Sequence, residues 1–390
     1  MKKIIFCLQT MVLGGVEKEL ITIMKKMMPQ EYDVSLLLFY KDDLCILEEI
    51  PRHVKMIDLD IDKAYYCSSC VQLSMQRLKR GKIVEAVGLM AKRVFGIGMT
   101  YSNTDISEIA AMKDEYDVAI CFHMHSPLTL RYVAEKIKAK KKITWIHNDF
   151  LTTGFPVHKL KKYIAQYDEI IAVSEQVKKE FDQLCPQFTD HSFVCHNIID
   201  SEEILRKSEE PIDDDRFCKD YQTVLLTVGR FCDQKGYDYA IKAARILKDE
   251  GVLFKWFFVG YGAQEQAYRA MIKEYGVEDC VVILGRKDNP YPYIKNCDIY
   301  VQPSRHEAYG IVIAEARVLH RPIICSRFAG AEEQIIDGKT GIIVPLNDVV
   351  TLAGELKKLI NDPDGMVAFT EALANESALA EWYTIERHLI

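Results

Sequence analysis

The chain has 390 residues, which exceeds the size of one ordinary hydrophobic core and predicts two domains. Its residues are 49% hydrophobic and 27% charged, the usual balance of a globular protein, and a net charge of -7 argues against a surface built throughout for nucleic acid. The twelve cysteines follow no regular spacing and the start carries no recognisable secretory leader, so a reducing, cytoplasmic location is expected.

Short apolar segments alternate with helical patterns through the first half of the chain. In order they are KIIFCL, DVSLLLFY, HVKMIDL, YDVAICFHM, KKITWIH, DEIIAVSE and SFVCHNI. Fully apolar strands predict a parallel sheet covered on both faces, because a strand with one wet face would alternate apolar and polar residues. The first half is therefore predicted to be an α/β, Rossmann-like domain.

The same rhythm returns in the second half, after the charged segment 201–221, which is interpreted as a connector. The strand-like runs there are TVLLTVGRF, LFKWFFVGYG, CVVILG, CDIYVQPS, RPIICSRF and TGIIVP. We therefore predict a second Rossmann-like domain, with boundaries at 1–205 and 206–372. Two such domains facing each other would leave a cleft at the carboxyl ends of their strands, where ligands bind.

The segment 62–100 interrupts this rhythm and carries seven basic residues against two acidic ones. Apolar residues at helical spacing with a basic opposite face suit a helix on an anionic membrane surface. The alternative is a solvated helix packed on its own domain. Cys67 and Cys70 resemble half a zinc knuckle or a redox dithiol, but no second pair follows. No apolar run reaches the roughly 18 residues needed to span a bilayer.

Glycines follow the first predicted strand of the chain. Gly14 and Gly15 would allow a tight turn and bring backbone N–H groups close to an anion at the next helix start. The pattern is neither GxGxxG nor a P-loop, so dinucleotide binding and ATP hydrolysis lose support.

Basic residues follow the first strand of the second half. Gly229 ends that strand, Arg230 follows it, and Lys235 precedes Gly236 and an amphipathic helix. A guanidinium and an ammonium beside a helix N-terminus predict a diphosphate-binding site.

Two glutamates flank a predicted helix start in SRHEAYGIVIAEA. Glu307 would precede the helix, Glu315 would lie inside it, and Gly310 would stand near its N-terminus. A carboxylate accepts hydrogen bonds from neighbouring hydroxyls of a sugar or ribose, while the helix N-terminus faces phosphate. A buried Glu315 would need partners, and a ligand could supply them.

Histidines stand near strand ends in the first half. His147 ends the KKITWIH strand and would face the cleft, as a structural or a catalytic residue. His123 and His125 are interpreted as lining residues, because further metal ligands are not recognisable.

Together these motifs resemble the retaining, nucleotide-sugar-dependent glycosyltransferases of the GT-B fold, family 4 or group 1, which build bacterial polysaccharides and glycolipids. The matching segments follow the family's order: GGVEK, WIHND, AVSE, HNIID, VGRFCDQKG, VGYG, PSRHEAYGIVIAEA, RPIICSRFAGAEEQI and DGKTGIIV. The likeness is poorest over 62–100. Many relatives also have two adjacent glycines where this chain has Phe328, Ala329 and Gly330.

The resemblance implies a role for each catalytic candidate. Arg230 and Lys235 match the basic pair that grips the donor diphosphate. Glu307 matches the first glutamate of the E-x7-E motif, which contacts donor-sugar hydroxyls, and Glu315 matches the second, which holds the ribose. His147 matches the first-domain histidine near the transferred sugar.

The resemblance also implies the rest of the donor site. Gly15 matches the glycine loop that approaches the diphosphate from the first domain, and a closing helix at about 373–390 would cross back onto that domain. The predicted donor-binding residues are Gly14, Gly15, Gly229, Arg286, Tyr309, Gly310, Ile311 and Glu315. No metal or cofactor is expected beyond the nucleotide-diphosphate sugar.

The implied function is transfer of a hexosyl unit, with retention, from a UDP-sugar to a saccharide or lipid-linked saccharide in cell-surface polysaccharide synthesis, such as a capsule. The protein would be cytoplasmic and peripheral on the inner face of the plasma membrane, with no nucleic-acid partner. The alternatives are a nucleotide-sugar 2-epimerase of the same fold and a non-catalytic nucleotide-sugar-binding subunit.

Overall fold

The structure is a computed structural model, and it describes two compact units. The described residues are 1–12, 14–41, 46–59, 109–217, 223–376 and 382–389, with residues 61, 78, 81, 83, 84, 87 and 106 between them. Unit 1 comprises Met1–Val173, Val177–Cys195 and Trp382–Ile390, and unit 2 comprises Ser174–Gln176 and His196–Glu381. The predictions for Cys67, Cys70 and most of 62–100 lie outside the described residues.

Unit 1 is built, within the described residues, on a seven-stranded parallel sheet of order β3-β2-β1-β4-β5-β6-β7. Its strands are β1 Lys2–Leu8, β2 Tyr32–Leu38, β3 Lys55–Asp58, β4 Glu115–Cys121, β5 Lys138–Ile146, β6 Glu169–Ala172 and β7 Ser192–Val194. The helices associated with these strands are α1 Gly15–Lys26, α2 Pro127–Lys136, α3 Phe150–Thr153, α4 Lys161–Ile164, α5 Glu175–Leu184 and the final helix, α14, Trp382–Leu389. Short 3-10 helices lie at Leu47–Glu49, Val157–Leu160 and Pro186–His191.

Unit 2 repeats the plan with a six-stranded parallel sheet of order β10-β9-β8-β11-β12-β13. Its strands are β8 Val224–Val228, β9 Lys255–Val259, β10 Val281–Gly285, β11 Ile299–Gln302, β12 Ile323–Ser326 and β13 Ile342–Val344. Its helices are α6 Ser201–Ser208, α7 Tyr237–Asp249, α8 Glu265–Glu274, α9 Tyr291–Asn296, α10 Ile311–Val318, α11 Ala331–Gln334, α12 Val349–Ile360 and α13 Pro363–Ala374, with a 3-10 helix at Asp233–Lys235.

The sheet of unit 2 is buried on both faces. Along β8, Leu225 belongs to one buried apolar cluster, whereas its neighbours Val224 and Leu226 belong to another. Successive side chains of a strand point to opposite faces, so the two clusters lie on either side of the sheet. The predicted fold class, α/β with two Rossmann-like domains, is confirmed.

The predicted connector is wrong over its first eight residues, which form α6. The Asp200 carboxylate accepts a hydrogen bond from the Glu203 amide at 3.0 Å and so caps this helix, while Ile204 is buried beneath it. A capping side chain and one apolar anchor outweigh the charged composition. Residues 218–222 lie outside the described residues.

The final helix α14 belongs to unit 1. The Lys141 ammonium donates a hydrogen bond to the carbonyl of His388 at 2.8 Å, and His388 Nδ1 lies 2.9 Å from Glu169 Oε2. In the described part of the chain, every helix is too short or too polar to cross a membrane.

Both sheets reverse their strand order beside their first strand. In unit 1, β1 lies between β2 and β4, and in unit 2, β8 lies between β9 and β11. The loops on either side of such a point leave in opposite directions and open a crevice at the carboxyl ends of the strands. Most of the predicted site residues follow β1, β8 or β11, whereas His147 follows β5 and Arg286 follows β10.

Candidate functional site

Loops after the neighbouring strands β8 and β11 bring Lys235 and Glu307 together. Gly236 makes this approach possible: its φ is 66°, and a Cβ there would lie 2.0 Å from the carbonyl oxygen of Pro303. Lys235 Nζ donates a hydrogen bond to Glu307 Oε1 at 2.5 Å, with the side chains only 16% and 11% exposed. The predicted site thus contains a largely buried ammonium–carboxylate pair in the crevice of unit 2.

Ser304 is a second partner of Glu307 that the sequence analysis missed. Its hydroxyl donates a hydrogen bond to Glu307 Oε1 at 2.8 Å, and the side chain is fully buried. The signal was present in the sequence, because Ser304 precedes Glu307 by three residues in the loop after a strand.

The second glutamate, Glu315, lies inside α10 as predicted for the helix, and is 4% exposed. The Tyr291 hydroxyl donates a hydrogen bond to Glu315 Oε1 at 3.0 Å. The protein itself therefore supplies one of the partners that a buried carboxyl group requires. Tyr291 was also missed, since it reaches Glu315 from a different helix, α9.

The start of α10 is shaped by close contacts with the loop after β12. Gly310 has a φ of 90°, and a Cβ there would lie 3.1 Å from the Phe328 ring. A Cβ on Gly330 would lie 2.6 Å from the Tyr309 backbone, so this position requires glycine. The side-chain Nε2 of Gln334 donates a hydrogen bond to the backbone carbonyl of Tyr309 at 2.5 Å. The backbone before Ile311 is therefore held in one arrangement.

The other predicted cations do not join the Lys235–Glu307 pair. Arg230 is exposed and, among the described residues, makes no ion pair. Arg286 is exposed too; its Nε lies 3.0 Å from Asp288 Oδ1, and its guanidinium lies 5.5 Å from the centre of the Tyr261 ring. Gly229 does contribute: a Cβ there would press on the Lys235 aliphatic chain at 3.3 Å.

In unit 1, the predicted residue His147 meets an unpredicted one, Glu19 of α1. His147 Nδ1 lies 3.4 Å from Glu19 Oε2, and neither side chain has a hydrogen-bond partner among the described residues. Glu19 is buried on α1 together with the apolar residues Leu20 and Ile23, and this break in the helical pattern was the available signal.

Burial dominates the electrostatics of this pair. It raises the pKa of Glu19 well above its usual value and lowers the pKa of His147 well below the ordinary value for histidine. Burial therefore favours the neutral form of both groups. Neutral groups keep hydrogen-bonding capacity without the cost of a buried charge.

His123 and His125 lie beside this pair, after β4. The ring centres of His123 and His147 are 6.2 Å apart, and His123 Nε2 lies 2.9 Å from Asn148 Nδ2. Burial lowers the pKa of His123 to about 4 and of His125 to about 3. In the described ranges, no group of three His, Cys, Asp or Glu side chains is placed to hold a metal ion.

The glycines after β1 differ from the expected tight turn. Gly14 has φ -163° and ψ 177°, an extended backbone that any residue adopts, and α1 begins at Gly15. Backbone conformation therefore does not require glycine at position 14. Leu13 lies outside the described residues.

Comparison with known proteins connects the crevice of unit 2 to a family. Residues 209–376 match the model of the family Glycosyl transferases group 1. The match covers 168 of the 390 residues, less than half of the chain. The group 1 match contains the strands of unit 2 together with Arg230, Lys235, Glu307 and Glu315.

Two curated glycosyltransferases resemble parts of the chain. It is 32% identical over 152 residues to Alpha-D-kanosaminyltransferase of Streptomyces kanamyceticus, covering 38% of this chain and 39% of that protein. It is 32% identical over 143 residues to the amylovoran biosynthesis glycosyltransferase AmsK of Erwinia amylovora, covering 35% of each. The chain therefore spans well under half the length of these two relatives.

A solved structure resembles the whole chain. The crystal structure of Anabaena Alr3699/HepE in complex with UDP and glucose matches with a TM-score of 0.71 at 20% identity, covering 100% of this chain and 98% of that one. At this identity the likeness establishes the fold. The chain has the GT-B fold.

Proposed function

We propose that the chain is a retaining glycosyltransferase of family 4 that moves a hexosyl unit from a UDP-sugar to a saccharide acceptor. The observation that carries this proposal is the 2.5 Å contact between Lys235 and Glu307 at the carboxyl ends of β8 and β11. It joins a cation suited to a diphosphate and a carboxylate suited to sugar hydroxyls in one crevice. The family match and the UDP bound to the Anabaena protein support the same substrate class.

The proposed chemistry is electrostatic stabilisation of the leaving group. Cleaving a sugar–phosphate bond places negative charge on the diphosphate, and Lys235, with Arg230 from the exposed loop, would neutralise it. Glu307 would accept hydrogen bonds from the donor sugar and Glu315 from the ribose. The N-terminus of α10, with Tyr309, Gly310 and Ile311, would face phosphate oxygens. A phosphate oxygen of the donor would assist deprotonation of the acceptor hydroxyl on the same face, which retains the configuration.

We also propose roles for His147 and for the glycines after β1 in unit 1. The neutral imidazole of His147 would contact the transferred sugar, and Gly14 and Gly15 would approach the diphosphate. Gly229 and Arg286 would complete the nucleotide side in unit 2. No metal is required in this proposal, because the cationic side chains would neutralise the diphosphate.

The proposal is tested by a donor panel of UDP-glucose, UDP-galactose, UDP-N-acetylglucosamine and GDP-mannose. We expect slow release of UDP from one of the three UDP-sugars, at the same rate with and without EDTA. Tight UDP binding without turnover of any donor would indicate a non-catalytic binding subunit. Conversion of a UDP-sugar into its epimer with the nucleotide still attached would indicate a 2-epimerase.

For the acceptor, we propose a saccharide or lipid-linked saccharide used in cell-surface polysaccharide synthesis, at the cytoplasmic face of the membrane. Four described residues of the basic segment 62–100 support membrane contact, because they are helical apolar residues exposed by more than half: Leu78, Ile83, Val84 and Val87. Co-sedimentation with anionic liposomes is expected to weaken when Arg77, Lys79 and Arg80 are neutralised. Binding that ignores both lipid charge and these substitutions would contradict membrane contact.

A further inference from the structure

A line of buried polar side chains runs along β11 towards Glu307. Tyr300, Gln302 and Ser304 stand two residues apart, so they point to the same side of the extended chain. All three are at most 1% exposed. Residues Ile299 and Val301, which alternate with them, belong to the apolar cluster on the other face of the sheet.

Each member of this line donates a hydrogen bond to the next one. The Tyr300 hydroxyl donates to Gln302 Oε1 at 2.6 Å, and Gln302 Nε2 donates to Ser304 Oγ at 2.7 Å. The Ser304 hydroxyl then donates to Glu307 Oε1 at 2.8 Å. All three bonds therefore have their donors directed towards one carboxylate.

Lys235 approaches the same oxygen from the neighbouring loop. Glu307 Oε1 thus accepts hydrogen bonds from both Ser304 Oγ and Lys235 Nζ. Glu307 Oε2 accepts no hydrogen bond from the described residues. The carboxylate is held by one oxygen and leaves the other for a ligand.

Such a line is costly unless every member is satisfied. In a low-dielectric interior, aligned hydrogen bonds polarise one another, and an unsatisfied member costs more than it would in water. The position before Tyr300 and the position after it show that apolar residues fit this strand. A polar line at the other positions therefore calls for an explanation beyond packing.

We propose that Tyr300, Gln302 and Ser304 are positioning residues that orient Glu307, fixing Oε1 on Lys235 and reserving Oε2 for hydroxyl groups of the donor sugar. They touch no substrate themselves and act through Glu307. This inference rests on the proposed function. By orienting Glu307, the three residues would determine how well the protein discriminates between donor sugars that differ in hydroxyl configuration.

The test compares the full-length wild-type protein with Ser304→Ala, Ser304→Thr and Tyr300→Phe. For each protein, kcat and KM are measured for hydrolysis of UDP-glucose, UDP-galactose and UDP-N-acetylglucosamine, together with inhibition by UDP. We expect Ser304→Ala to reduce the preference for the best donor over the next about ten-fold, mainly through kcat, because a hydrogen bond to a charged group is lost. Inhibition by UDP should stay within about two-fold, since Glu307 contacts only the sugar.

Two variants separate positioning from folding. Ser304→Thr keeps the hydroxyl and should restore discrimination, and Tyr300→Phe, which keeps the ring, should give a smaller loss in the same direction. The matched control is Thr227→Val, because Thr227 is fully buried in the same sheet and bonds the Val301 carbonyl at 2.7 Å without leading to Glu307. It should lower the melting temperature and leave discrimination unchanged.

The possible failures are distinguishable. Wild-type protein that hydrolysed none of the three sugars would overturn the proposed function and this inference with it. Active wild-type protein whose Ser304→Ala variant kept its discrimination, or lost UDP and sugar recognition equally, would overturn this inference alone. The inference would also be overturned if Thr227→Val reduced the discrimination between donor sugars as much as Ser304→Ala does.

Discussion

Two buried glutamates, Glu307 in unit 2 and Glu19 in unit 1, differ in the hydrogen-bond partners of their carboxyl groups. Glu307 Oε1 receives an ammonium at 2.5 Å and a hydroxyl at 2.8 Å. Both oxygens of Glu19 lack a hydrogen-bond partner among the described residues, and its near neighbour His147 stands at 3.4 Å. The same residue type is thus held in place in one unit and left unsatisfied in the other.

The difference separates a carboxylate that has hydrogen-bond partners from one that has none among the described residues. The Lys235–Glu307 contact holds an ammonium and a carboxylate in one defined arrangement. The Glu19–His147 pair keeps unused donors and acceptors in a buried place, at a cost in stability.

The largest expected effect comes from removing the partner of Glu307. Lys235→Ala should slow UDP release from the donor by about 10²-fold or more, because it removes a preorganised charge and leaves the Glu307 carboxylate without its counter-ion. Lys235→Ala should also lower the melting temperature, because the Glu307 charge loses its partner. In the double variant that also carries Glu307→Gln, the melting temperature should recover and the rate should not. The control is Lys248→Ala, whose surface ion pair with Asp279 lies elsewhere in unit 2. A Lys235→Ala rate close to that of Lys248→Ala would contradict the proposed role.

The next effect concerns stability in unit 1. Replacing Glu19 by Met should stabilise the protein by about 1 to 3 kcal/mol near neutral pH, since a buried unsatisfied carboxyl group disappears. Glu180 provides the opposite control: it is also buried, but it accepts the Phe150 amide at 2.9 Å, so Glu180→Met should destabilise by a similar amount. Urea denaturation measures both.

The stabilisation by Glu19→Met should depend on pH with a definite sign. Burial raises the folded pKa of Glu19 above its usual 4.5, so folding must take up a proton once the unfolded carboxyl group is ionised. The contribution of Glu19 to the stability of the wild-type protein therefore falls, and the benefit of the substitution grows, as pH rises from 4.5 towards the folded pKa. Above the usual histidine value of 6.5, His147 is neutral in both states and adds no slope. A benefit that shrank with rising pH would show that Glu19 is ionised in the fold.

The smallest effect concerns Glu315. Its carboxyl group accepts a hydrogen bond from the Tyr291 hydroxyl at 3.0 Å, so its satisfaction is intermediate between that of Glu307 and that of Glu19. Tyr291→Phe should weaken UDP binding about three-fold, because one hydrogen bond to the carboxyl group is lost. Glu315→Ala should weaken it further, whereas Glu307→Ala should impair sugar transfer and leave UDP binding nearly unchanged. Titration calorimetry with UDP separates the two glutamates, and equal losses would contradict the division of roles.

Much of the fold was predictable from local sequence. The thirteen strands of the described residues all overlap the apolar runs, because most of them are buried and apolar, although β5 begins three residues before its run. The helix after Gly310 was also predictable, from its glycine start and apolar run. Helix α6 was not, since one capping aspartate and one buried isoleucine outweighed a charged composition that suggested a connector.

The sequence predicted which residues belong to the candidate site better than it predicted which of them touch each other. Lys235, Glu307 and Glu315 stand out because charged residues at strand ends and in apolar helices need a reason. Ser304, Tyr291 and Glu19 were missed, since a serine in a loop, a tyrosine in a helix and a glutamate in an amphipathic helix are ordinary locally. Arg230 and Arg286 were selected by their sequence positions, and the structure leaves both exposed and apart from the Lys235–Glu307 pair.

The sequence by itself determined the elements and the residue types at their ends, because periodicity, turn residues and capping act over a few neighbouring residues. Only the tertiary structure decided which of those ends meet. Lys235 and Glu307 are 72 positions apart, and they touch because β8 pairs with β11 rather than with a strand nearer in the chain on that side. That choice depends on burying both faces of a twisted parallel sheet, which is a property of all the strands together.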